Sequence, residues 1–421
     1  MARLHTLANG VRIVSDPVGG LETLALSVVI GRGARWETAA TSGWSHLLEH
    51  MVFMGAGERS ARDIVEAIEA EGGQINAATG YERTSFQIRA LKGGLPLAMA
   101  VTADLLLRPT LDAGDLEREK DVIAQEIAEA ADTPDDLVFD IAQTAAFGDT
   151  SLGRPILGTR KSIGVAAPDS LAAFRAGLYA PDRIVVSASG AVDEDELLAL
   201  TERWFGGAEA ASGPLAEPEA AVFVGGRAPK SRSLEQAHLV LALPAPGARD
   251  DAYFALRLFA EALGGGMSSR LFQEAREKRG LAYNIDAYVD TYADGGVLGV
   301  YAGAEAANAA EAATVAAHEI RALATGIGEA ELARAKAQLK AHLFMARESS
   351  LARAEQGAGQ TLLFGRLFAT AEIAEAIDGV TRADMAALGE RLLAPALSAA
   401  AVLGPKRAGA AVEAFERGLF G

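Results

Sequence analysis

The chain has 421 residues, half of them apolar and 23% charged, with no cysteine and a formal net charge of −17. The length exceeds one ordinary core and predicts more than one domain, while the negative charge argues against nucleic acids and anionic membranes as partners. No apolar run reaches the roughly 18 residues of a membrane span, and the N-terminus lacks the apolar core of a signal peptide, so a cytoplasmic protein is expected.

The first half predicts strands and helices in mixed order, starting with two strands around the tight turn Asn9-Gly10. The predicted strands are 3–7, 11–15, 23–30 and 183–189, with a hairpin over 74–91. The predicted helices are a short one around 44–53, then 60–71, 95–107, 115–131, 170–178 and 193–204.

The pentad His46-Leu-Leu-Glu49-His50 is the pattern most informative about function. On a helix the two histidines are four residues apart, so both imidazoles project from one face, and Glu49 lies beside them. Two neutral imidazoles and a carboxylate suit a hydrolytic zinc site, and H-x-x-E-H is the inverted zincin signature. Thr41 or Ser42 is the expected N-cap of this helix.

A catalytic zinc site keeps three protein ligands, and the third must be His, Asp or Glu because the chain has no cysteine. The other histidines are scattered and are expected to be surface or core residues: His5, His238, His318 and His342. The acidic helical stretch 115–129 is the better source. Glu119 and Glu126 lie seven residues apart, two turns along one face, and spacing alone does not choose between them.

A loss of periodicity over 208–230, with Gly, Pro, Ala and Ser, predicts a linker at 211–230. The order of elements then recurs. The predicted strands of the second half are 237–243, 282–290, 297–302 and 398–403. Its predicted helices are 251–263, 268–278, 306–324, 329–348, 355–363, 372–377 and 382–393, with one more at the C-terminus.

The two halves end alike, since Ala-Pro, a strand, a glycine and a helix close both of them. This predicts a duplicated α+β unit of about 210 residues, with domains at 1–210 and 231–421. The pentad occurs only in the first copy; the matching place in the second reads Arg257-Leu-Phe-Ala-Glu261. Catalytic chemistry is therefore expected in the first half.

Over nearly its whole length the sequence resembles the pitrilysin-type (M16) zinc peptidases, and among them the half-length bacterial members similar to mitochondrial processing peptidase subunits. The residues that carry the resemblance are His46-Leu-Leu-Glu-His-Met-Val-Phe-Met-Gly55, Gly72-Gly-Gln-Ile-Asn-Ala-Ala-Thr79, Gly153-Arg-Pro-Ile-Leu-Gly158 and Arg276-Glu-Lys-Arg-Gly-Leu-Ala-Tyr283. Met54 and Ala56 depart from the Lys and Thr that are usual there.

The resemblance implies one zinc ion per chain. It makes Glu126, which stands 76 positions after His50, the third ligand beside the two histidines. Glu49 would be the general base and Glu119 a supporting glutamate.

The resemblance also implies that substrate binds in the second half as well as the first. Asn76 and Ala77 would lie on an edge strand that pairs with the peptide, and Arg276 and Tyr283 would bind substrate.

The expected function is a zinc-dependent endopeptidase that cleaves peptides or small unfolded polypeptides. The resemblance implies that two such chains form a chamber, each contributing half of a clamshell, as a homodimer with a heterodimer left open. The alternative is a non-catalytic scaffold or partner subunit, which typically loses part of the zinc motif or the Arg/Tyr pair.

Overall fold

The computed structural model describes residues 2–209 and 217–421. Its strands are β1 Arg3–Thr6, β2 Arg12–Pro17, β3 Thr23–Ile30, β4 Gly55–Ala56, β5 Arg59–Ser60, β6 Gln74–Thr79, β7 Thr84–Leu91, β8 Ile184–Gly190, β9 Gly226–Ser231, β10 Ala237–Ala245, β11 Ala282–Thr291, β12 Gly296–Ala304 and β13 Ala399–Gly404.

Helices separate these strands and account for most of the remaining chain. They are α1 Trp44–Phe53, α2 Ala61–Ala70, α3 Leu95–Leu107, α4 Ala113–Asp132, α5 Pro134–Phe147, α6 Arg160–Gly164, α7 Pro168–Leu178, α8 Glu194–Phe205, α9 Tyr253–Gly264, α10 Ala309–Thr325, α11 Glu329–Ala346, α12 Ser350–Phe364, α13 Thr370–Gly379, α14 Arg382–Leu393 and α15 Ala410–Phe420. Within the described ranges, no helix is both long enough and apolar enough to cross a bilayer.

The chain folds into two compact α+β units. The first comprises Met1–Ala128, Pro155–Glu219 and Met345–Phe368, and the second Glu129–Arg154, Ala220–Phe344 and Ala369–Gly421. The mixed fold class expected from the sequence is therefore confirmed.

The first unit is built on a six-stranded sheet in the order β1-β2-β8-β3-β7-β6. Neighbouring strands are antiparallel except β2 and β8, which are parallel. One face packs on α1, α2, α3, α7 and α8 around the buried side chains of Ile13, Leu26 and Phe86. The other face carries α12, whose Ala358 packs with valines of β2, β3 and β8.

The second unit repeats this topology. Its sheet runs β11-β12-β10-β13-β9, with only β9 and β13 parallel. Read from the opposite edge, the first sheet has the order β6-β7-β3-β8-β2, which corresponds strand for strand to the second sheet. This correspondence is expected for a duplicated unit. Helices α9, α10, α14 and α15 contribute to the core on one face, and α5 packs on the other face through Val138, Ile141 and Ala142.

The boundaries at 1–210, 211–230 and 231–421 need correction in two respects. Helix α5 belongs to the second unit and α12 to the first, so each unit contains one helix from the other half of the sequence. The predicted linker also contains the start of β9, whose Gly226 pairs with Ala399 of β13. Residues 211–216 of the linker lie outside the described residues.

Candidate functional site

Helix α1 carries the pentad because its apolar residues fall on one face. Leu47, Leu48, Met51 and Val52 are fully buried in the core of the first unit. The opposite face is left with His46, Glu49 and His50, which are only partly buried. The same helix therefore anchors itself in the core and presents its three polar side chains together.

A buried glutamate, and not the expected hydroxyl, caps this helix. The N-cap is Gly43 in the left-handed region, with no side-chain cap of its own, so the prediction of Thr41 or Ser42 is wrong. Glu37, 6% exposed, accepts hydrogen bonds from the backbone N–H groups of Gly43 and Ser45, both at 2.7 Å. A carboxylate at this end satisfies free N–H groups and complements the helix dipole.

Leu157 and Gly158 support the same end of α1. A Cβ atom on Gly158 would lie 2.3 Å from the Ser42 carbonyl oxygen, and one on Gly43 would lie 2.6 Å from the Leu157 carbonyl oxygen. Both glycines have positive φ. The sequence His-Leu-Leu-Glu-His is thus held in place by glycines more than 100 residues apart, because only glycine permits this backbone contact.

Helix α4 brings two glutamates to the histidines. Glu126 lies 3.9 Å from His46 Nε2 and 3.7 Å from His50 Nε2, measured to its carboxylate oxygens. One ligand atom from each of these three residues falls within 4.8 Å of the others. Among the residues described, this is the group of His, Asp or Glu side chains arranged to hold a metal ion.

Glu119 lies on the far side of His50. Its carboxylate is 2.9 Å from His50 Nδ1, and the residue is 8% exposed. A carboxylate on Nδ1 selects the tautomer that leaves the Nε2 lone pair directed at Glu126. The two glutamates that spacing could not distinguish are therefore distinguished by which imidazole nitrogen each faces.

The donor set fits a zinc ion. Burial, and next the charge of His50, lower the pKa of His46 to about 4, so its imidazole is neutral near pH 7. Neutral imidazole is the form that binds metal. Two nitrogen ligands and one carboxylate are a combination used in catalytic zinc sites. The Nδ1 atom of His46 is buried and has no hydrogen-bond partner in the described part of the chain.

Glu49 is held by the strand next to the helix. The Thr79 hydroxyl donates a hydrogen bond to Glu49 Oε2 at 2.5 Å. Burial raises the pKa of the Glu49 carboxyl, and the Thr79 hydroxyl, together with a weaker hydrogen bond from its backbone, opposes that rise. Sequence reasoning included Thr79 in the edge strand but gave it no role. The sequence offered only strand alternation, which places Thr79 on the same face as Ile75 and Ala77.

Strand β6 is an edge of its sheet and has no charged residue or proline. The Gly80 N–H donates to the Arg83 carbonyl at 2.8 Å, so by antiparallel alternation residues 78, 76 and 74 direct their backbone groups at β7. Residues 79, 77 and 75 direct theirs outward. Ala77 therefore offers backbone groups to an added strand, whereas Asn76 offers only its exposed side chain.

Arg276 and Tyr283 both lie in the second unit. Arg276 is in a π-helical segment, Phe272–Glu277, where an α-helix was expected, and its guanidinium stacks over the Phe272 ring at 4.7 Å. Tyr283 is 58% exposed near the start of β11, and its hydroxyl donates to Glu305 at 3.3 Å. Both side chains are thus ordered by neighbours in their own unit.

Two family profiles match the chain. One described as "Insulinase (Peptidase family M16)" covers residues 14–160, and one described as "Peptidase M16 inactive domain" covers residues 166–339. The pentad and both α4 glutamates fall in the first.

Solved structures of a Helicobacter pylori protease and of a Pseudomonas fluorescens "peptidase M16 inactive domain" superpose with TM-scores of 0.88 and 0.87 at 20% identity. Each superposition covers 96% of this chain, with 99% of the first and 98% of the second covered in return.

Full-length relatives agree with the profiles. An uncharacterised zinc protease of Mycobacterium tuberculosis is 37% identical over 409 residues, 96% of this chain and 93% of that protein. An uncharacterised zinc protease of Bacillus subtilis is 36% identical over 384 residues, 90% of this chain and 93% of that protein. With such relatives over nearly its full length, and with the M16 fold, the chain belongs to peptidase family M16.

Proposed function

We propose that this protein is a zinc-dependent endopeptidase that cleaves peptides or small unfolded polypeptides. The observation that carries the proposal is the convergence of His46, His50 and Glu126, with Glu49 on the same helix face. The name zinc protease given to its relatives supports the same conclusion. His46, His50 and Glu126 would hold one zinc ion per chain.

The chain's own residues account for the proton movements of peptide hydrolysis. A zinc ion at this site would supply Lewis acidity toward a water molecule and a carbonyl oxygen. Glu49 accepts the proton of the attacking water and returns it to the leaving amine. Glu119 fixes the orientation of His50, which is the kind of support whose loss commonly costs about 10–100-fold in metal affinity or activity.

Substrate binding is proposed to occur by strand addition to β6. An extended peptide would pair with the outward backbone groups of Ala77 and Ile75, so affinity would depend little on its side chains. Strand β9, an edge of the other sheet, carries Arg227, Pro229 and Lys230, which are residues that discourage strand addition. The contrast supports β6 as an edge kept open for a peptide.

The alternative is a non-catalytic partner subunit. The word "inactive" in one family description applies to residues 166–339, a range without the pentad. The three candidate zinc ligands and the proposed base lie between positions 46 and 126, and all four are present. Zinc analysis of the purified protein and a quenched-peptide assay separate the two functions. We expect one zinc per chain and cleavage that Glu49→Gln reduces to a small residual rate while zinc remains bound. Cleavage by Glu49→Gln at the wild-type rate would contradict the role of Glu49.

We further propose a homodimer in which Arg276 and Tyr283 of one chain serve the zinc site of the other. The chain has two units of one topology, and only the first carries the pentad. Glu49→Gln and Arg276→Ala should each be nearly inactive, but mixed under conditions of chain exchange they should recover activity. One heterodimer site then combines an intact zinc centre with an intact Arg276. Confirmed exchange without recovery would refute the shared site.

A further inference from the structure

Thr79 links two parts of the site that otherwise lie on separate elements. It is the last residue of β6, and its position in the sheet is fixed by pairing with Thr84 of β7. Its side chain shares a strand face with Ile75 and Ala77, which pack toward the core that includes α1. Because a threonine in a strand has few χ1 rotamers, the hydroxyl reaches Glu49 from a rigid support.

The environment of Glu49 makes this contact selective. Among the described residues, Thr79 is the donor of the hydrogen bonds that the Glu49 carboxylate accepts. The Tyr179 hydroxyl is buried and has no hydrogen-bond partner among the described residues, and burial, followed by the charge of Glu49, raises its pKa. Removing the Thr79 hydroxyl therefore leaves the carboxylate with only the weaker hydrogen bond from the Thr79 backbone.

Backbone alternation gives the contact a second consequence. The Thr79 N–H points outward from β6, as do the backbone groups of Ala77 and Ile75. Glu49 accepts a hydrogen bond from the Thr79 hydroxyl and faces the Thr79 N–H. Ala77 is therefore the last residue of β6 whose outward N–H and C=O are both free to pair with a peptide strand. The peptide bond just beyond that partner would lie beside Glu49.

We propose that Thr79 is a positioning residue that holds the Glu49 carboxylate in register with the peptide-accepting edge of β6. This inference rests on the peptidase function proposed above. It assigns Thr79 no contact with the reacting atoms, since its effect passes through Glu49.

The test compares Thr79→Val with Thr79→Ser. Valine keeps the shape and loses the hydroxyl, and losing a hydrogen bond to a charged group predicts a decrease in kcat of about 10- to 100-fold. KM, zinc affinity measured by chelator competition, and the affinity for a peptide bound to the zinc-free protein should stay within about threefold of the wild type. Serine keeps the hydroxyl and should restore most of the kcat.

A matched control is Thr84→Val, which removes a buried strand hydroxyl from the cross-strand partner. The Thr84 hydroxyl donates to the Arg32 carbonyl and does not touch Glu49, so this variant should keep the wild-type kcat. In a Glu49→Gln background, Thr79→Val should cause no further loss, because residues that act as a unit are not additive.

The outcomes separate the two proposals. A wild type that binds zinc and leaves peptides intact overturns the peptidase function. An active wild type with an equally active Thr79→Val variant, or a Thr79→Val effect that persists in full without Glu49, overturns the role of Thr79 alone. A loss that serine fails to restore in a folded, zinc-loaded protein does the same.

Discussion

The carboxylate of Glu37 should stabilise the first unit more than any exposed helix cap does. It is buried and accepts hydrogen bonds from the Gly43 and Ser45 N–H groups. Glu37→Ala leaves both groups without this acceptor. Hydrogen bonds to a charged group contribute about 1.5–3 kcal/mol each, so the loss of two should lower the free energy of unfolding by about 3–6 kcal/mol. For a unit of this size that lowers Tm by about 10–20 °C.

Calorimetry with a matched cap variant tests this magnitude. Ser60 caps α2 of the same unit through a hydrogen bond with Asp63 at an exposed position. Ser60→Ala should therefore cost about 1 kcal/mol, or about 3 °C. A Glu37→Ala shift no larger than that of Ser60→Ala would refute the reasoning.

The same substitution should weaken the metal centre. His46 is the third residue of α1 and lies in the turn that Glu37 caps. When the cap is removed that turn frays, and zinc affinity measured by chelator competition should decrease. Glu37→Gln keeps one acceptor oxygen and should fall between wild type and alanine. Wild-type zinc affinity in a destabilised Glu37→Ala protein would show that the cap acts on folding alone.

Three further predictions concern the rest of the chain. Glu126→Gln should lose more zinc affinity than Glu119→Gln, because only Glu126 faces the Nε2 atoms of both histidines. Metal analysis that finds equal zinc content in the two variants would contradict this. An arginine hydrogen bond lowers the pKa of Glu331, so its stabilisation is present above the unfolded pKa of about 4.3 and is lost as pH falls through the folded pKa. Melting curves of Glu331→Gln should lie below wild type at pH 7 and converge with it in acid. Gly158→Ala should lower the free energy of unfolding by about 1–3 kcal/mol from its positive φ alone, and the clash of its Cβ with the start of α1 should add to this loss. In Gly164→Ala the new Cβ has no atom within 4 Å, so calorimetry should show an unchanged stability.

The local signals in the sequence were strong enough to predict most elements. Helix α3 spans 95–107 as expected, and Ser60 caps α2 as expected, since apolar periodicity and capping residues act over a few neighbours. The pentad likewise predicted two imidazoles and a carboxylate on one helix face. These are properties of the local chain and need no tertiary contact.

Packing decided what lies beyond that range. Spacing alone could not choose between Glu119 and Glu126, because both lie on one face of α4 and only the packing of α4 against α1 separates them. Glu37, six residues before the N-cap it serves, and Thr79, thirty residues from Glu49, have no sequence spacing that marks them. Helices α5 and α12 each join the other unit because their apolar faces fit sheets formed elsewhere in the chain. Long-range contacts of this kind depend on shape and burial, which only the folded chain defines.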